Sequence, residues 1–251
     1  MLILVTGATG TIGSEVVKQL VAARQRVRAL VRDRAKANWP SSAVEAVVGD
    51  LGKPETLTAA FARVERAFVL STWPETERHE ANAYEAAKRA GTKHIVKLSG
   101  GGMEDDLTIN SPGVQWHARS EGLLRALGTA WTILRPAPFN SNMKAWGVKE
   151  RGGLFLPSGK GKQAFIDPRD VAAVAVKALT TAGHDGKVYE LTGPELLSGD
   201  EVVQKISAAT GTPTQFVAVP DDVARQGMVS AGIPVPVVGT GMNHFAAVRA
   251  A

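Results

Sequence analysis

The sequence predicts an α/β protein: a doubly wound parallel sheet followed by a small irregular C-terminal region that serves as substrate pocket or lid. Three observations carry this. An apolar run, Leu2-Ile3-Leu4-Val5, ends on a glycine turn and is followed by a helix-like segment from Ser14 to Val21. Strand and helix patterns then alternate through residue 135 at the spacing of βαβ units. From 136 to 165 that rhythm gives way to Pro, Gly and Asn with scattered aromatics. The chain is therefore divided into a core over 1–135 and a pocket or lid region over 136–251, interleaved with the last core elements.

After the first unit, Arg26–Val31 and Val44–Val48 read as strands, the second ending on Gly49-Asp50-Leu51. Pro54 opens a helix running through Phe61, and Ala67–Leu70 is a short buried strand ending at Ser71-Thr72. Residues 80–90 form an alanine-rich helix stopped by Gly91, and His94–Ser99 is the next strand. Residues 116–127 make a helix stopped by Gly128, and Trp131–Leu134 is a strand halted by Arg135-Pro136. Loops with one short helix are expected over 136–165, then a helix over Asp167–Leu179 and a strand over Lys187–Leu191. Ser198 and Glu201 have capping-box spacing for a helix ending near Gly211. A strand over Gln215–Val219 and a helix after Pro220 follow; from Gly232 the pattern assigns no element.

Composition narrows the function classes. The 251 residues carry a net charge of +5, are 44% hydrophobic and contain no cysteine. This is the profile of an ordinary globular protein without disulfides, thiolate nucleophiles or cysteine metal sites. The start of the chain shows no leader pattern, no apolar run nears the roughly 20 residues of a membrane helix, and no Lys/Arg block is interleaved with aromatics. A cytoplasmic location is expected, with a small-molecule partner rather than nucleic acid or membrane and with a homodimer as the candidate assembly. His79, His94, His184 and His244 stand singly, so no metal site is expected. Arg24 and Arg26 read as solvated surface, and Lys97 reads as exposed on an alternating strand.

The glycines at 7, 10 and 13 carry the chemistry. A strand, a glycine turn and a helix N-terminus in that order bring backbone N–H groups against a pyrophosphate. The cofactor-binding set is Gly7, Thr9, Gly10, Thr11, Ile12 and Gly13, joined at later strand ends by Arg32, Asp50, Leu51, Ser71 and Thr72. A guanidinium at Arg32 suits the 2′-phosphate of NADPH, whereas Asp33 beside it suits the 2′-hydroxyl of NADH; NADPH is the favoured reading. Asp50 reads equally well as a turn cap. Trp73, Pro138 and Phe139 are the candidate substrate-pocket wall.

Thr6–Gly13, Leu30-Val31-Arg32-Asp33, Gly49-Asp50-Leu51, His94–Ser99 and Thr132–Pro136, in this order, resemble the NmrA-like, atypical branch of the short-chain dehydrogenase/reductase superfamily. The resemblance implies a Rossmann fold and an NADPH-dependent reductase of quinones or dyes. The alternative is a non-catalytic regulator that senses NADP(H), since the branch holds both; the reductase is the reading adopted. A nucleotide-sugar epimerase is a third reading, disfavoured because it needs the superfamily's Tyr-x-x-x-Lys pair. Tyr84 and Lys88 have that spacing but precede the 94–99 strand, so they read as ordinary helix residues. At the position the resemblance gives to the pair stand His117 and Glu121, with Ser99 as the superfamily's active-site serine. The i, i+4 spacing would let Glu121 orient His117, the candidate proton donor.

Overall fold

The computed structural model describes residues 1–37, 39, 42–72, 74–101, 111–146 and 148–250. Along the chain run β1 (Leu2–Val5), α1 (Thr11–Ala22), β2 (Arg26–Val31), β3 (Val44–Val48), α2 (Leu57–Phe61), β4 (Arg66–Val69), α3 (Thr76–Arg89), β5 (His94–Leu98), α4 (Pro112–Ala126) and β6 (Ala130–Pro136). They are followed by α5 (Asn142–Ala145), α6 (Val148–Arg151), β7 (Gly153–Leu156), α7 (Pro168–Thr180), β8 (Lys187–Leu191), α8 (Gly199–Thr210), β9 (Gln215–Ala218), α9 (Asp221–Ser230) and α10 (Val235–Ala250). Contacts divide them into two compact units: the described residues of 1–107, 116–136 and 168–191, and those of 108–115, 137–167 and 192–251.

The first unit is a seven-stranded sheet in the order β3-β2-β1-β4-β5-β6-β8, every pair parallel. Such strands are covered on both faces and read as continuous apolar runs, as in the wholly buried Leu2-Ile3-Leu4-Val5. Helix α1 turns Ile12, Val16, Val17 and Leu20 inward, and it packs on α7. The order reverses at β1, whose neighbours are β2 and β4. A crevice beyond the carboxyl ends of the strands forms at that switch point. Thr6 ties the two sides of it: its hydroxyl donates to the Leu70 carbonyl at 2.8 Å and accepts from the Leu70 N–H at 2.8 Å.

The second unit is built on the two-stranded parallel sheet of β7 and β9 and a core of Val148, Leu154, Leu156, Val202, Val203 and Phe245. The Ser198–Glu201 capping box opens α8 as expected, and Gly211 closes it at φ +68°. Two departures from the sequence reading lie here. The 136–165 stretch holds two short helices and β7 rather than one short helix, and the tail past Gly232 forms α10. Among the described residues no helix is long and apolar enough to cross a membrane.

Candidate functional site

The glycine turn is shaped by two steric facts. Gly7 sits at φ +58°, where an L side chain is strained. A Cβ on Gly13 would lie 2.1 Å from the Gly7 carbonyl oxygen, so only glycine lets α1 start this close to the loop. The turn closes through the Gly10 N–H to Gly7 carbonyl bond at 2.9 Å. No side chain caps the N-terminus of α1, and its first turn holds no acidic residue. Uncapped N–H groups at the positive end of a twelve-residue helix are an anion cradle. Thr9, Gly10 and Thr11 are exposed along it, while the Ile12 side chain lies in the core and only its backbone faces the turn.

Arg32 follows β2, exposed and without an ion-pair partner among the described residues. Its neighbour Asp33 is engaged elsewhere: Oδ1 accepts from the Ala35 N–H at 2.9 Å and caps the short turn at Arg34–Lys36. Asp50 likewise caps its own turn, accepting from the Gly52 N–H at 2.8 Å, and Leu51 packs partly on the core. Ser71 Oγ lies 3.5 Å from His79 Nδ1, and Thr72 is exposed beyond it. Trp73 lies outside the described residues. Pro138 and Phe139 belong to the second unit, where both are bridged to Ile166.

Ser99 and Glu121 meet, but Glu121 is turned away from its expected duty. Ser99 Oγ donates to Glu121 Oε1 at 2.5 Å. The rest of that fully buried carboxylate is held by Arg135, through Nε at 3.1 Å and Nη2 at 2.6 Å, and by Arg125 Nη2 at 3.2 Å. Glu121 therefore serves two guanidinium groups and a serine rather than orienting His117, because a buried carboxylate takes the strongest cations in reach. His117 is itself buried, and its imidazole is held down at about 3 by burial first and the Lys97 ammonium second. At neutral pH it is an uncharged ring, which offers an N–H but no readily released proton.

Lys97 corrects a second expectation. Its strand is interior, between β4 and β6, so alternation gives it no exposed face. Lys97 is 0% exposed, and its Nζ donates to Glu80 Oε2 at 2.5 Å. The same oxygen accepts from the Ser120 hydroxyl and from Tyr84 Oη at 3.1 Å. Tyr84 is thus a core residue, its phenol pushed well above the ordinary range by burial first and then the Glu80 carboxylate. Lys88 is exposed, so the two make no pair. Glu80, Ser120 and Arg135 were missed by sequence reasoning; the signal for Lys97 is a charge inside an apolar strand, whereas Glu80 lies in the polar stretch Glu77-Arg78-His79-Glu80 and carries no such mark. Among the described residues no group of His, Asp or Glu has the makings of a metal site.

A parallel sheet in this order, with a glycine cradle at its switch point, defines a dinucleotide-binding protein of the Rossmann type. The chain belongs to the NmrA-like family, whose model matches residues 1–250. It is 42% identical over 237 residues to an NAD(P)H azoreductase of Xenophilus azovorans, covering 93% of this chain and 82% of that one. Among solved structures, the triphenylmethane reductase of Citrobacter sp. complexed with NADP(H) superposes with a TM-score of 0.82 at 28% identity, over 100% of this chain and 90% of that one. An NADPH-dependent quinone oxidoreductase complexed with NADPH, from Escherichia coli, superposes with a TM-score of 0.84 at 26% identity, over 99% and 89%.

Proposed function

We propose that the chain is a reductase that draws on NADPH and passes hydride to an electron-poor small molecule, with quinones as the acceptor class. Its standing as an NAD(P)H-dependent oxidoreductase follows from its relatives, the azoreductase and the quinone oxidoreductase. The observation that carries the reading is the cradle: without a Cβ on Gly13 the glycine turn packs directly against an uncapped helix N-terminus, whose N–H groups fit a pyrophosphate. When bound, the dinucleotide supplies the hydride, which is the hard part of the chemistry.

The protein's own residues bind, orient and exclude water. The backbone of Gly7 to Gly13, with Thr9 and Thr11, holds the phosphates; Asp50 and Leu51 border the adenine, and Ser71 and Thr72 the nicotinamide side. Arg32, exposed at the end of β2, reads the 2′-phosphate through its guanidinium, while one oxygen of Asp33 caps the Ala35 N–H. Ser99, anchored by Glu121, and His117 face the acceptor. An uncharged His117 gives a hydrogen bond, and the proton that completes reduction comes from water. A quinone suits such a site because its reduced oxygen needs only a weak acid, whereas an unactivated ketone needs strong oxyanion stabilisation. Azo compounds, the class in the name of the Xenophilus relative, are the second acceptors to try.

Single-turnover mixing of the NADPH-loaded protein with a panel of quinones and azo dyes tests this. Loss of nicotinamide absorbance matching the bound NADPH is expected for at least one quinone. Tight NADPH binding with no loss for any acceptor defeats the reading. Arg32→Ala is expected to raise the KM for NADPH by about tenfold relative to NADH, since a charge-assisted pair is lost for one cofactor only.

A further inference from the structure

The hydroxyl of Ser99 has a fixed direction. Its backbone N–H donates to the Leu134 carbonyl at 2.7 Å, which sets the residue at the end of β5, and its Oγ donates to Glu121 Oε1 at 2.5 Å. Among the described residues that oxygen has one other donor, Arg135 Nε at 3.1 Å, while Oε2 takes Arg135 Nη2 at 2.6 Å and Arg125 Nη2 at 3.2 Å. A carboxylate between two guanidinium groups has lone pairs only and no proton to return. Glu121 is 0% exposed, so no solvent replaces the serine if it turns away. Arg135 is anchored in turn by Glu190, Nη1 to Oε1 at 3.3 Å. A serine carries one proton and two lone pairs. With the proton given to Glu121, only lone pairs are left for a ligand.

We propose that Ser99 meets the acceptor substrate as a hydrogen-bond acceptor, so that the Ser99–Glu121–Arg135 cluster selects molecules bearing an N–H or O–H beside the group that is reduced. The proposal rests on the reading of the chain as an NADPH-dependent reductase. It reverses the part expected of a serine at this place, which is to donate to a substrate carbonyl. Ser99 then discriminates between acceptors, while hydride transfer itself is left to the cofactor.

The experiment compares two naphthoquinones with similar ring electronics, one carrying a methylamino group and the other a dimethylamino group, as substrates with NADPH. The wild type is expected to favour the N–H compound in kcat/KM by about tenfold, the worth of one neutral hydrogen bond in a water-poor site. Ser99→Ala should bring the ratio towards one, and Ser99→Thr should keep it. Glu121→Gln is the decisive arm, because it hardly changes volume. The glutamine keeps its oxygen at the Oε2 position for Arg135 Nη2 and Arg125 Nη2, gives up the Arg135 Nε bond and turns an N–H towards Ser99, which releases the serine proton outward; the ratio should fall below that of the wild type. Circular dichroism and NADPH binding verify each fold, and if Ser99→Ala does not fold, Glu121→Gln with Ser99→Thr decides. Ratios that Glu121→Gln leaves unchanged overturn the proposal, as does a Ser99→Ala defect confined to the KM for NADPH. A wild type that binds NADPH and reduces neither compound nor any other quinone overturns the reductase reading and this one with it. Turnover of both compounds at a ratio of one in wild type and variants overturns the Ser99 assignment alone.

Discussion

Removing one partner of the Lys97–Glu80 pair should damage the protein far more than removing both. Both side chains are 0% exposed, with Nζ and Oε2 2.5 Å apart. Lys97→Met leaves the Glu80 carboxylate in the core with, among the described residues, only the Ser120 and Tyr84 hydroxyls as donors. Breaking a buried ion pair in this way costs about 3–5 kcal/mol. In a chain of this size each kcal/mol moves the melting temperature by about 2–4 °C, so a fall of about 6–20 °C is expected. Adding Glu80→Met removes the stranded charge, and Tyr84 Oη and Ser120 Oγ still bond each other at 3.1 Å. The double variant should return to within about 1–2 kcal/mol of the wild type, because apolar replacements of buried ion pairs are often neutral or better. The assay is a double-mutant cycle by urea denaturation, followed by both fluorescence and circular dichroism. A coupling of at least about 2 kcal/mol is expected for groups in direct contact. Additive single losses would refute the reasoning, since they would mean that the two charges are not each other's support.

The same structure gives further expectations. Gly13→Ala places a methyl 2.1 Å from the Gly7 carbonyl oxygen, so the loop must move; a loss of about 1–3 kcal/mol and failure to bind NADPH are expected, checked by thermal melting and fluorescence titration. Normal affinity in that variant would mean that the cradle tolerates a shift. Ser198→Ala removes the capping box of α8 and should cost about 0.5–2 kcal/mol with cofactor binding intact. For His117, the native ring stays neutral down to about pH 3 while the unfolded chain takes up its proton near 6.5. The unfolded state therefore holds more protons between these values, so the contribution of His117 is complete above about 6.5. It is lost on acidification towards 3, at about 1.4 kcal/mol per pH unit. His94 and His244 are also lowered by burial and add to the wild-type slope. The comparison with His117→Gln isolates one proton: that variant should lose stability less steeply in acid, and equal slopes would count against the burial argument.

What could be read from the sequence follows from how local each signal is. The cradle was legible because its constraints are short-range: Gly7 and Gly13 are six residues apart and touch each other's backbone. Strands β2, β3 and β8 fall where the sequence reading puts them: β2 is a nearly continuous buried run, while the edge strands β3 and β8 stay partly exposed and are marked by their β-branched and aromatic residues. Helix α10 was not legible, although its buried Val238, Met242, Phe245 and Val248 recur at helical spacing. Valines, glycines and threonine, all weak helix formers, fill its first two turns and mask the period. Partner choice was the least legible. Glu121 stands four residues from His117, which suggested a helical pair, but the guanidinium that takes it comes from β6, fourteen residues on. Lys97 was misjudged because alternation implies an exposed face only in a strand that has one.

Lys97 and Ser99 lie two apart at the end of β5 and so address one side of the sheet, where α3 and α4 supply Glu80, His117, Ser120 and Glu121. The last three stand at i, i+3 and i+4 on α4, which makes one helical stripe polar and buried. Apolar packing there would serve stability as well or better. What charges achieve in that layer, and apolar side chains do not, is a direction for each proton: Lys97 towards Glu80, Ser99 towards Glu121, and His117 left neutral beside a cation. A site whose hydride comes from its cofactor has little need of a strong acid. It does need hydroxyl and imidazole groups that do not turn as the acceptor's charge changes. A floor of paired charges beneath the strand ends provides that, and it suits the reductase proposed above, which has no tyrosine–lysine pair to lean on.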